Sequence, residues 1–160
     1  MYTINSSEGG RHLVIIDIEN LTGTPNPTIH EVRIAKAAIA LLCPPGANAL
    51  WVVACRQQAA KRVLFEFPDA RRIVSPDHME PALKLEAVLS SEQVERRFNS
   101  VAICSGNESF STQAARLGMH GVDVVAFVGE GRLTTRLRLA VRESYSLQQA
   151  IEPSKTGTGS

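Results

Sequence analysis

Cysteine is scarce in this chain: Cys43, Cys55 and Cys104 are the three among 160 residues, odd in number and far apart. That argues against a disulfide framework or a thiolate zinc site, and a reducing, cytoplasmic compartment fits best. Aromatic residues are also few, at 5%, which leaves little with which to stack nucleic-acid bases. Neither sign of charge dominates, since seventeen Lys plus Arg stand against sixteen Asp plus Glu for a net +1. Overall basicity is therefore no argument for nucleic-acid binding, and only a local basic face could supply one. No apolar run approaches the ~20 residues needed to span a bilayer. Met1 to Gly10 is polar and lacks the basic-then-apolar pattern of a signal peptide. No membrane is expected as a partner.

What is present is an ordinary globular composition, 44% apolar and 21% charged. A chain of this length holds one domain and can bury about 70% of its unfolded surface. Short Val/Ile-rich runs alternate with segments of helical period. Strands are expected at Leu13–Asp17, Leu50–Cys55, Arg72–Val74, Val101–Cys104 and Val122–Val128. The first is apolar until its acidic end, as in a strand covered on both faces. Helices are expected at Ile29–Leu42, Gln57–Phe65, Glu80–Leu89, Glu108–Leu117 and Arg132–Arg142, with a helical turn or two over Ser91–Phe98. Alternation of this kind predicts an α/β domain of three layers, a mainly parallel central sheet flanked by helices over residues 1–147. The tail 148–160, rich in polar residues, Gly and Pro, reads as disordered.

In open parallel sheets the ligand site lies beyond the carboxyl ends of the strands. The residues just after the strands therefore carry the chemistry: Asp17, Glu19 and Asn20, then Arg56, then Asp77, His78 and Glu80, then Ser105, Gly106, Asn107, Glu108 and Ser109. Carboxylates brought together from distant segments repel, and such clusters are commonly held by a hard divalent cation, Mg²⁺ or Mn²⁺. The bland alternative for Asp17 is a cap on the following loop or helix, and Ser and Asn are ordinary helix N-caps. Cys55, Cys104, Trp51 and Phe110 read as core residues.

Three segments resemble the NYN domains, a branch of the PIN-like ribonuclease superfamily. HLVIIDIENLTG (12–23) looks like that family's opening strand, ending in Asp with an Asn three residues on. EPALKLEAVL (80–89) is similar to its acidic helix, with Glu80, Leu83 and Glu86 where the family has Asp, Leu and Asp. VAICSGNESFSTQAARLGMHGVDVVAFVG (101–129) resembles its Ser-Gly-Asp-x-Asp-Phe turn, helix and final strand. The resemblance implies a three-layer, Rossmann-like fold and a metal-dependent phosphodiesterase acting on RNA. It implies Asp17, Glu80, Asn107 and Ser109 as metal ligands, and Asp17, Glu80 and Glu108 as the catalytic acids. Glu19, Asn20, Glu86 and Ser105 would support them. Asn107 and Ser109 stand where the family has two aspartates, so the site is short of negative charge.

Arg132, Arg136, Arg138 and Arg142 form the most basic stretch. With Arg56, the first three are the residues expected to hold an RNA backbone without reading its sequence. A homodimer would follow the habit of PIN-like domains. The alternative is the same fold with catalysis lost, binding RNA or protein. A haloacid-dehalogenase-like phosphohydrolase is a third reading, because Asp17-Ile18-Glu19 imitates an Asp-x-Asp. Leu21 stands where that family needs a Thr.

Overall fold

In a computed structural model, which describes residues 10–46 and 48–151, the apolar run His12–Asp17 forms β1. The chain continues through α1 (Ile18–Thr22), α2 (Ile29–Leu42), β2 (Ala49–Arg56), α3 (Ala60–Leu64), β3 (Arg71–Ser75) and α4 (Pro81–Ser91). It goes on with α5 (Val94–Arg97), β4 (Ser100–Cys104), α6 (Ser111–Met119), β5 (Asp123–Val128), α7 (Thr135–Ala140), β6 (Glu143–Ser146) and α8 (Leu147–Ile151). Short 3₁₀ turns at Gln57–Ala59 and Glu108–Phe110 lead into α3 and α6.

The six strands form one sheet in the order β3-β2-β1-β4-β5-β6, and every neighbouring pair is parallel. β1 lies in the middle, which is why all six of its residues are buried. Its side chains alternate between two apolar layers. Val14 and Ile16 pack with Val32, Ile39 and Leu42 of α2. Leu13 and Ile15 pack with Leu85 and Leu89 of α4, Leu117 of α6 and Leu137 of α7. Three layers follow, with α1, α2, α3 and α8 on one face and α4 to α7 on the other. Among the described residues no helix is long and apolar enough to cross a membrane.

Local chemistry sets the element ends. Thr28 caps α2: its side chain accepts from Glu31 N at 3.1 Å while Glu31 Oε1 accepts from Thr28 N at 2.9 Å, a reciprocal capping box. Thr28→Ala is expected to cost about 1 kcal/mol in urea denaturation. Pro81 occupies the first turn of α4 with Glu80 as N-cap, where a missing N–H costs nothing.

Two expectations are corrected at the C-terminal end. The helix read at Arg132–Arg142 is confined to Thr135–Ala140, because Thr134 caps it and the chain then extends to pair with β5 as β6. The tail read as disordered from residue 148 begins within α8, because Leu147, 3% exposed, anchors that helix in the core beside α2. Residues 152–160 of that tail lie outside the described residues.

Candidate functional site

The chain leaves β1 towards α2 on one face of the sheet and leaves β4 towards α6 on the other. The carboxyl ends of these adjacent strands therefore part and bound a crevice, the usual ligand position in open α/β sheets. Asp17 ends β1 at that point, and the residue is 2% exposed. Ser105, directly after β4, donates its hydroxyl to Asp17 Oδ2 at 2.9 Å and accepts from Asn107 N at 3.1 Å. Asp17 Oδ1 accepts from Asn20 N at 3.4 Å, so Asp17 is also the N-cap of α1. Burial is the largest influence on this carboxyl and, with smaller contributions from Glu19 and Glu80, pushes its pKa up to about 6 against the opposing hydrogen bonds.

The surrounding loops are stitched through Asn20. Its Oδ1 accepts from Gly106 N at 2.9 Å, and its carbonyl accepts from Gly131 N at 2.8 Å. Gly106 and Gly131 have no room for a side chain, since a Cβ on either would stand 2.3 Å from a backbone oxygen, that of Arg132 or of Asn20. The turn after β4 is thereby pressed against the turn after β5.

These contacts shape a cleft of about 220 Å³ lined by Asp17, Glu19, Asn20, Glu80 and Asn107, with Gly23, Thr24, Pro25, Ala82 and Gly131 completing the wall. Glu80 is exposed at its rim, and its carboxylate makes no hydrogen bond or ion pair among the described residues, while its carbonyl accepts from Leu83 N at 3.1 Å. Glu19 is committed elsewhere: Arg56 Nε donates to its Oε1 at 2.6 Å and Arg56 Nη2 to its Oε2 at 3.3 Å. Asn107 Oδ1 accepts from Ser109 N at 2.9 Å, capping the 3₁₀ turn.

Other expected site residues lie apart from the cleft. Ser109, Glu108 and Glu86 do not line it. Glu86 sits on α4 six residues beyond Glu80, and Glu108 is exposed on its turn. Arg56, expected to hold an RNA backbone, points its guanidinium at Glu19 and, through Nη1, at the Asp77 carbonyl, 2.6 Å away. Arg132, Arg136 and Arg138 are exposed and carry no ion pair among the described residues. Nor do any three His, Cys, Asp or Glu side chains converge as a metal-holding group among the described residues. The thiols take no part: burial pushes Cys43 up to about 12 and Cys55 up to about 11.

Sequence reasoning missed the Glu19–Arg56 pair and the glycine contacts. The nearest signal for the latter is Gly129-Glu130-Gly131 directly after a strand.

Sheet order, layers and crevice define a three-layer, Rossmann-like α/β domain. The chain is similar to the crystal structure of a protein of unknown function from Vibrio parahaemolyticus, with a TM-score of 0.61 and 12% identity over 92% of this chain and 98% of that one. No protein-family model matches the chain, and no curated protein matches it.

Proposed function

We propose that this chain is an NYN-type, PIN-like domain that binds RNA and hydrolyses its phosphodiester bonds with Mg²⁺ or Mn²⁺. The observation that carries the reading is Asp17, a carboxylate 2% exposed at the sheet's crevice and lining one cleft with Glu80. Burying a carboxylate without a cation is costly, and sites where proteins accept that cost are commonly functional. The donor set fits a weakly held hard cation: Mg²⁺ often takes one or two carboxylates, keeps several waters and shares the substrate's phosphate oxygens. Asp17 and Glu80 would hold it, and the ion when bound supplies Lewis-acid polarisation and a more acidic water. Ser105 aims Asp17 through its hydroxyl, and Asn20 fixes the β4 turn against α1. Arg132, Arg136 and Arg138, uncommitted to any carboxylate among the described residues, suit a phosphate backbone.

One observation favours the second reading, a degenerate module that binds without cleaving. Asn107 is neutral and spent on Ser109 N, and Glu19 is paired, which leaves two carboxylates for the metal. Cleavage of fluorescent single-stranded and structured RNAs in Mn²⁺, Mg²⁺ or EDTA separates the two. Metal-dependent cleavage is expected, falling more than about a hundredfold in Asp17→Asn. RNA binding with no cleavage in any metal would establish the degenerate module instead.

A further inference from the structure

Glu19 is the third carboxylate in the wall of the cleft, two residues beyond Asp17 and close enough to raise its pKa. It joins no three-carboxylate group among the described residues, and Arg56 holds both of its oxygens. That grip is itself braced: Arg56 Nη1 donates to the Asp77 carbonyl, and Asp77 Oδ1 accepts from Gln58 N at 2.9 Å, tying the end of β2 to the loop after β3. Both side chains of the pair retain 20% exposure, so the contact lies within reach of a ligand entering the cleft. A guanidinium fork fits a phosphate as well as it fits a carboxylate. Ion pairs open to solvent are weak enough to exchange partners.

We propose that the Arg56–Glu19 pair is a latch on the cation site. Arg56 withholds Glu19 until a backbone phosphate of bound RNA takes over the guanidinium, and the released Glu19 then becomes the third carboxylate beside Asp17 and Glu80. Arg56 is on this account a positioning residue rather than a standing RNA contact, and the site reaches full charge only when substrate is present. The inference rests on the metal-and-RNA reading above.

Mn²⁺ binding to the full chain without RNA, followed by calorimetry, tests it directly. Arg56→Gln is expected to bind Mn²⁺ about tenfold more tightly than wild type, the scale of change that outer-shell partners produce. The double variant Arg56→Gln/Glu19→Gln is expected to return to the wild-type value. A merely structural Arg56 would give equal or weaker binding on removal, and that result, with Asp17→Asn still abolishing Mn²⁺ binding, overturns the latch and leaves the metal site standing. Absence of Mn²⁺ binding in every variant overturns both. A second measurement needs no substitution. In EDTA, the Arg56 Nε–H signal in a ¹H–¹⁵N spectrum is expected to move on titration with single-stranded RNA; a signal unmoved at saturation overturns the exchange of partners.

Discussion

Gly106→Ala is expected to destabilise the protein by about 3 kcal/mol, the upper range for forcing atoms into a filled interior. A Cβ there would stand 2.3 Å from the carbonyl oxygen of Arg132, 2.7 Å from its carbon and 2.8 Å from Leu133 Cα. All three are backbone atoms, so no side chain can swing aside. Relief requires the turn after β4 to separate from the segment before α7, which breaks the hydrogen bonds from Gly106 N to Asn20 Oδ1 and from Thr134 N to the Gly106 carbonyl. Ser105 and Asn107 flank this residue, so the bond that aims Asp17 is disturbed by the same movement. Gly118→Ala is the matched control. It lies exposed in α6 with nothing within 4 Å of its would-be Cβ, and there alanine is expected to stabilise by about 0.5–1 kcal/mol. Urea midpoints of the two variants should shift in opposite directions. Equal shifts would mean that the close approach of the two turns is not a feature of the folded chain.

The contrast between those glycines also marks how far the sequence could be read. β1, β2, β4 and β5 announce themselves because central parallel strands are apolar on both faces. β6, Glu-Ser-Tyr-Ser, pairs on one side only and buries little, so its sequence carries no apolar run. α1 is five residues long and follows β1 without a break, which gives helical periodicity no room to show. The site divides in the same way. Asp17, Asn20, Glu80 and Asn107 are legible because strand ends in such a fold must converge, and all four line the cleft. Whether a nearby charge is free is decided by tertiary crossings that local pattern does not encode. Arg56 and Arg132 read alike along the chain. Only the packing of α1 against the end of β2 sets the first opposite Glu19 and leaves the second in solvent.

Asp17→Asn carries the prediction that best separates a functional carboxylate from a helix cap, because the two roles give stability effects of opposite sign. The folded-state pKa of Asp17, about 6, lies above the 3.8 of an ordinary aspartate, the value expected in the unfolded chain. The folded protein therefore binds more protons than the unfolded one between those values, and stability falls as pH rises through that window. Below it both states are protonated and the effect vanishes. Above it the full penalty applies, on the order of 3 kcal/mol for a shift of this size. Asparagine has nearly the same shape, carries no charge, and can still accept from Asn20 N and pair with Ser105. In EDTA, Asp17→Asn is thus expected to be more stable than wild type by up to about 3 kcal/mol at pH 8 and nearly equal to it at pH 3. Urea midpoints at the two pH values read this out. A variant less stable by the same amount at both would make Asp17 a cap and nothing more. Stability gained where metal-dependent cleavage is lost is the pattern expected of a charge kept in the interior for the work it does there.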